Sequence, residues 1–409
     1  MLDFIEEYKE IFLYISIPIT SALVGWITNV LAIKMTFYPL NFVGIPPFLG
    51  WQGIIPSKVA KMSALSVDLW TQKLINVKEL FEQIDPNTVA SEMRSEFDRI
   101  SKEIMDEIMI EQAPEAWEKI PVAVKKLIYA RISRDMPDVV AEIMSDVKEN
   151  IEDIFDIKEM VINRLTADKE LLNEIFLNCG AEEFQFIERS GLYFGFLFGI
   201  VQMLVWYFFP IFWILPLFGL FVGYATNWLA LKLIFNPVEP VKILGIEYQG
   251  LFIKRQKEVS EEYANMLAHE IFTFDRIFSA IINGKTKDKF VTLIAEHANK
   301  AIDEAVGISK PIIKLVSGQR NFDKMKNIAI EKIIYEMPRS VQLVFPYAEG
   351  AMDLETVFRT RMQALPPKDF VGFLRPVFQE DEMKLILVGA VLGMAAGFGQ
   401  LFLVFGFEF

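Results

Sequence analysis

Long runs without a charged side chain alternate with stretches in which apolar residues recur every three or four positions. Ile11 to Ile33, between Glu10 and Lys34, is an uncharged run of 23 residues. As an α-helix at ~1.5 Å per residue it reaches about 34 Å, one bilayer crossing. Ser190 to Leu231, between Arg189 and Lys232, holds 42 uncharged residues and predicts two crossings. Phe209, Pro210 and Pro216 mark the turn between them, and Trp206, Tyr207 and Trp213 form the expected interfacial belt. Leu385 to Phe407, between Lys384 and Glu408, predicts a fourth crossing. A charge at the bilayer centre costs ~2.5 to 3.5 kcal/mol on insertion scales, so such runs point to membrane helices rather than to buried helices of a soluble core. Residues 1 to 10 hold Asp3, Glu6, Glu7 and Glu10 against Lys9, unlike the basic start of a cleaved leader, and the first span is expected to be retained.

Between the spans the pattern becomes amphipathic. Val89, Met93, Phe97, Ile100, Ile104 and Ile108 keep helical spacing, as do Val140, Ile143, Val147, Ile151 and Ile154. Pro86, Pro114, Pro121 and Pro137 are expected to divide the first stretch into helices of a bundle, and Pro311, Pro338, Pro346 and Pro366 the second. Lys34 to Lys58 encloses an uncharged segment broken by Pro46, Pro47, Gly50, Trp51, Gln52 and Gly53, too interrupted for a fifth span. Val241 to Ile253 alternates across Gly245 as a short hairpin against the membrane would. The fold class expected is therefore an all-α integral membrane protein with four transmembrane helices, two cytoplasmic amphipathic-helical domains and short juxtamembrane β-hairpins. Its divisions are residues 1–33 (N-terminus and first span), 34–189 (first helical domain with its hairpin), 190–231 (second and third spans), 232–384 (second helical domain with its hairpin) and 385–409 (fourth span and C-terminus). Of the 41 Lys and Arg residues, 40 fall within 34–189 and 232–384. Four crossings put those stretches on one side, and the concentration of Lys and Arg there, juxtamembrane Lys34 and Lys232, the acidic N-terminus and the uncharged outer turns make that side the expected cytoplasmic one.

The chain repeats itself. Gly25, Thr28, Asn29, Leu31, Ala32, Lys34, Phe37 and Pro39 recur 198 positions later as Gly223, Thr226, Asn227, Leu229, Ala230, Lys232, Phe235 and Pro237. Gly195, Gly199 and Gln202 recur at the same offset as Gly393, Gly397 and Gln400. Between these ends, Leu74, Val77, Leu80, Phe81 and Ile84 match Ile271, Phe274, Ile277, Phe278 and Ile281 at an offset of 197. Each half reads as span, helical domain, span. Both enter the membrane in the same direction, so a tandem duplication with a pseudo-two-fold axis along the membrane normal is expected, as in a fused dimer.

The repeated residues suggest a helix-packing face. Gly25, Thr28, Asn29 and Ala32 share one side of the first span, and Gly223, Thr226 and Asn227 one side of the third. Helices in a bilayer associate through close backbone approach and interhelical hydrogen bonds, and a lipid-facing Asn amide would go unpaired. Asn29 and Asn227 are expected to bond to each other across the axis or to Gln202 and Gln400, with Gly195, Gly199, Gly393 and Gly397 giving close contacts. Lys34 and Lys232 lie where they reach the headgroups. Together with Lys58, Lys61, Lys254, Arg255 and Lys257 they are candidate contacts for anionic lipid, or equally solvated starts of helices.

Composition narrows the chemistry. At 53% apolar with 36 Phe the chain is not disordered. The net charge of -13 argues against nucleic acid as a partner. Residues 35 to 189 carry 17 basic and 28 acidic side chains, whereas 232 to 384 carry 22 and 21; this divergence fits a basic partner for the first half or a solvated acidic face. Cys179, the single cysteine, allows no internal disulfide and reads as a small packing residue, and with two histidines there is no Cys/His zinc set. No GxxxxGK, GxGxxG, HExxH or nucleophile-elbow motif occurs. His269 beside Glu270, and His297 beside Glu296, read as surface features. Glu182/Glu183 and Glu380/Asp381/Glu382 read as solvated helix starts rather than metal ligands. With no Asp, Glu, Lys, Arg or His inside a predicted span, the usual proton or ion relay of a secondary transporter is not expected. Hence no catalytic, cofactor-binding or metal residue is assigned, and no enzyme activity is expected.

The segments GWITNVLAIKMTFYPL with GWQGIIPSK, FIERSGLYFGFLFGIVQ, and LRPVFQEDEMKLILVGAVLG resemble the bacterial membrane proteins grouped as domain of unknown function 445, YjiN-like, over nearly the entire chain. The resemblance implies an inner-membrane protein and brings no activity, substrate or catalytic residue with it. The leading functional expectation is a membrane-anchored helical scaffold whose cytoplasmic domains engage another protein. The alternative is a passive channel or a lipid-handling protein, with Thr28, Asn29, Thr226, Asn227, Gln202 and Gln400 lining a path or the cytoplasmic helices enclosing acyl chains. Expected partners are membrane lipids and a protein, with a further homo-oligomer left open.

Overall fold

The computed structural model describes residues 2–45, 49–243, 245–306, 319–379 and 382–405. Pro46, Pro47, Pro311, Glu380, Asp381, Phe407 and Glu408, named above, lie outside the described residues. Among the described residues the chain is helical apart from two two-stranded antiparallel sheets. Eight long helices carry the architecture: α1 (Leu2–Phe37), α2 (Arg94–Gln112), α3 (Val122–Glu149), α4 (Ala181–Phe208), α5 (Ile214–Phe235), α6 (Lys287–Val306), α7 (Gln319–Val341) and α8 (Glu382–Phe405). The chain forms two compact units, one of Met1–Leu69, Ile162–Met266 and Phe358–Phe409, the other of Trp70–Val161 and Leu267–Val357.

The first unit contains four helical segments long and apolar enough to cross a membrane, Tyr14–Phe37, Ala181–Phe208, Ile214–Phe235 and Glu382–Phe402. Their pairing is α1 with α4 and α5 with α8, and α4–α5, α1–α8 and α1–α5 contacts close the bundle. One stripe of α1, comprising Ile11, Ile15, Ile19, Leu23, Ile27 and Leu31, is exposed at one residue per turn, while Ser21, Thr28, Asn29 and Ala32 on another face are buried. At the α4–α5 turn Tyr207, Phe208, Phe209, Phe212 and Trp213 are exposed. Trp206, expected in the same belt, instead packs inward against Ile17, Leu215 and Leu401, because one residue along a helix turns a side chain by about 100°.

Each of α1 and α5 leads into a hairpin. Strand β1 (Val43–Ile45) pairs with β2 (Leu49–Trp51), Val43 opposite Trp51 and Ile45 opposite Leu49. Strand β3 (Val241–Ile243) pairs with β4 (Ile246–Tyr248), Val241 opposite Tyr248. Gly44 holds φ at 136°, and a Cβ there would overlap the Leu49 carbonyl oxygen and the Gly50 Cα. Only glycine satisfies both demands. The Tyr38–Pro39 and Asn236–Pro237 peptide bonds are cis.

In the second unit the long helices form a ring, with α2 against α3, α3 against α6, α6 against α7 and α7 against α2. Phe97, Ile100 and Ile108 of α2, Val147 of α3, Phe290, Ile294 and Ala298 of α6, and Phe322, Ala329 and Ile330 of α7 are buried there. Two expected breaks are absent: Pro137 lies inside α3 and Pro338 inside α7. A proline removes one backbone hydrogen bond, and here the packing of long amphipathic helices outweighs that local loss.

Candidate functional site

Helical spacing builds the seam between paired apolar helices. Gly191, Gly195, Gly199 and Gln202 recur on one face of α4 every three or four residues, opposite Pro18, Ser21, Gly25 and Asn29 of α1. A Cβ on Gly25 would overlap the carbonyl oxygen of Gly191, and one on Gly191 the carbonyl oxygen of Gly25, so backbone lies on backbone. Gly195 abuts Ser21 and Ala22, and Gly199 abuts Pro18. Across α5 and α8 the contacts are Gly223 with Gly389, Gly219 with Gly393, and Gly397 with Leu215 and Pro216. Gly191, Gly219 and Gly389 escape the sequence argument. Gly191 and Gly389 also stand 198 apart and extend the same glycine period, a signal that was available.

The amides take other partners than expected. Asn29 Nδ2 donates to the carbonyl of Ile187 at 2.7 Å, and Asn227 Nδ2 to that of Leu385 at 3.5 Å. Neither bonds to the other Asn or to a Gln. The reason is the adjacent glycine: a Cβ on Gly191 would come within 2.7 Å of Asn29 Nδ2, and one on Gly389 would overlap Asn227 Nδ2. A bare backbone opens the helix carbonyl to an outside donor. Thr226 Oγ1 donates to Val222 O at 2.9 Å and also lies 3.4 Å from Asn29 Oδ1, joining the two helix pairs. Thr28 Oγ1 donates to Gly25 O at 3.0 Å within its own helix.

The two glutamines differ. Ser21 Oγ donates to Gln202 Oε1 at 2.6 Å, inside the α1–α4 pair. Gln202 is 1% exposed, and its Nε2 has no hydrogen-bond partner. Gln400 Nε2 donates to Thr20 Oγ1 at 2.6 Å, from α8 to α1. Thr20 Oγ1 in turn points at Ser16 O and Ile17 O, at 2.8 and 3.0 Å. The position matching Ser21 is Gly219, which has no hydroxyl to offer Gln400.

The basic candidates separate into distinct settings. Lys34 is exposed on a groove of about 690 Å³ at the end of α1. Lys232 Nζ lies 4.6 Å from the centre of the Trp228 ring, and Lys254 Nζ 5.9 Å from that of Tyr248. Arg255 Nη1 meets both carboxylate oxygens of Glu183, at 3.0 and 2.8 Å, and its Nε lies 3.1 Å from Glu182. Arg255 is therefore engaged inside the protein rather than free for a headgroup, and Glu183, 5% exposed, is a buried partner rather than a solvated helix start. Lys58 is half-buried; Lys61 and Lys257 are exposed. Buried Cys179 has its thiol pKa pushed up, first by burial and then by the charges of Glu262 and Glu183, which removes nucleophilic thiolate.

In the second unit the histidines bond to carboxylates distant in sequence: His269 Nε2 to Glu355 at 3.3 Å and His297 Nε2 to Asp146 at 2.7 Å. Ion pairs between α6 with the turn before it, or α7, and the first half of the chain run mostly one way. Lys285–Glu159, Lys289–Asp153, Lys300–Glu142 and Lys332–Glu107 all put the base on the second half, and Arg99–Glu336 is the reverse. Among the described residues no three His, Cys, Asp or Glu side chains gather as a metal site. No family model, no curated protein and no solved structure matches the chain.

Proposed function

We propose that this chain is a non-enzymatic, membrane-anchored helical scaffold of the bacterial inner membrane, built by tandem duplication about an axis along the membrane normal. Its long polar stretches lie in the cytoplasm and engage another protein, and the membrane-embedded helices contact lipid. The supporting observation is the use made of intramembrane polar groups: Asn29, Asn227, Thr226, Ser21 and Gln400 are all turned into bonds that tie helix to helix. Glycines bring the backbones into contact along the same faces. Groups so engaged clamp a bundle and do not line a path, which favours a scaffold over passive conduction. The partner surface is expected on the helical unit, where Val122, Leu127 and Tyr335 are 68%, 71% and 76% exposed.

A photo-crosslinking residue at Leu127 or Tyr335 in living cells is expected to trap a discrete protein adduct. Purified protein in sealed vesicles is expected to pass neither ions nor lipid between compartments. Ion flux that Asn29→Leu abolishes would replace this reading with a channel, and lipid transfer between vesicles would replace it with lipid handling. Phosphatase fusions within residues 34–189 or 232–384 should be inactive; active fusions would invert the orientation.

A further inference from the structure

The exposed stripe of α1 does not stop at the end of the helix. Ile11, Ile15, Ile19, Leu23, Ile27 and Leu31 lead, at the same helical spacing, to Lys34 and Tyr38. Those two side chains line the groove together with Asn41, Val43 and Trp51 of the hairpin segment. The hairpin carries apolar side chains outward: Val43 is 64%, Ile45 70% and Leu49 74% exposed. An edge hairpin in water is ordinarily protected by charge, yet no Asp, Glu, Lys or Arg occurs between Lys34 and Lys58. The matching β3–β4 hairpin is different, with Lys242 and Glu247 exposed. Trp51 Nε1 donates to the Met35 carbonyl at 3.1 Å, pinning the hairpin to the last turn of α1. Among the described residues no acidic side chain pairs with Lys34, whereas its counterpart Lys232 rests on Trp228.

We propose that the β1–β2 hairpin is a wedge seated in the headgroup and upper acyl layer of the bilayer, and that the groove between it and α1 holds an anionic phospholipid, with Lys34 on the headgroup. An apolar surface continuous with a lipid-facing stripe belongs in the same medium as that stripe. A single unpaired ammonium at its edge selects a negative headgroup. The inference needs only that the four apolar helices enter a bilayer, so a scaffold that proved to have no protein partner would leave it standing.

The full-length chain, reconstituted in vesicles of phosphatidylcholine and phosphatidylglycerol, tests it. Spin labels on Leu49→Cys and, separately, Ile45→Cys report depth, with Glu247→Cys on β4 as the water-exposed control; buried Cys179 stays unlabelled. The labels at 45 and 49 should collide with dissolved oxygen in preference to a water-soluble nickel chelate, and the control should do the opposite. Labels as accessible to the chelate as the control would overturn the wedge. Native mass spectrometry from mixed-lipid discs should retain phosphatidylglycerol over phosphatidylcholine, a preference that Lys34→Gln lowers roughly fivefold. An undiminished preference in that variant would remove Lys34 from the site, and displacement of the lipid by inorganic phosphate would make it a free-anion site instead.

Discussion

The α1–α4 and α5–α8 pairs meet through the same glycine and asparagine positions yet close their polar bonds differently. In the first pair Ser21 serves Gln202 from within, and Asn29 reaches its carbonyl at 2.7 Å. In the second, Gly219 replaces the hydroxyl, Gln400 crosses to Thr20 on α1, and Asn227 sits at 3.5 Å from its carbonyl. Backbone approach is thus the fixed part of the seam, and hydroxyl partners are interchangeable provided some helix supplies one. Where the first pair has Ser21 the second has Gly219, and there the glutamine bond runs between the pairs.

Breaking the fixed part should have the largest effect. Gly191→Leu and Gly389→Leu are each expected to cost about 3 kcal/mol or more through overpacking against backbone, read as loss of folded protein in detergent. Gly399→Ala, where a Cβ meets nothing within 4 Å, should be tolerated. If the leucine variants unfold no more readily than that control, backbone contact does not hold the pairs. The amides come next: Asn29→Leu is expected to lose about 1 to 2 kcal/mol in thermal or chemical unfolding, and Asn227→Leu about half of that. Equal losses would mean that the difference in bond length carries no energy. A double-mutant cycle of Thr20→Val with Gln400→Met should give a coupling of about 0.6 kcal/mol. Gln202→Met should cost less than Gln400→Met because it also removes an unpaired buried donor.

The smallest effect is one of pH. Asp168 caps the helix Lys169–Cys179, and its carboxyl is held below the ordinary carboxylate range chiefly by Arg164, against the opposing effect of burial and with a smaller contribution from the Leu171 amide. Its contribution to stability is complete above the unfolded-state pKa and is lost as pH falls through the lower folded value. Asp168→Asn should therefore flatten the acid limb of an unfolding profile. The corresponding stretch of the second half, Leu365 and Pro366, has no carboxylate to titrate.

Helical class and the four apolar helices were legible in sequence because a charge gap is a one-dimensional signal: whatever a helix packs against, an ion is costly in hydrocarbon. The packing faces were legible as well, since spacing alone puts Gly25, Thr28 and Asn29 on one side. Hydrogen-bond partners were not, because nothing in the order of residues says that Gly191 uncovers the Ile187 carbonyl for Asn29. Nor did neighbours in sequence identify the partners of His297 or Glu183, whose bonds reach Asp146 and Arg255 across several intervening helices. Pro137 and Pro338 misled as helix breaks because tertiary packing exceeds local preference. The acidic excess of residues 35 to 189 finds part of its complement inside the molecule, in the bases of α6 and α7.

That one-way pairing has a genetic corollary. Glu107, Glu142 and Asp146 find their bases at Lys332, Lys300 and His297, all in the second half of the sequence. A gene severed between α4 and α5 is therefore expected to yield two fragments that need each other to complete these pairs.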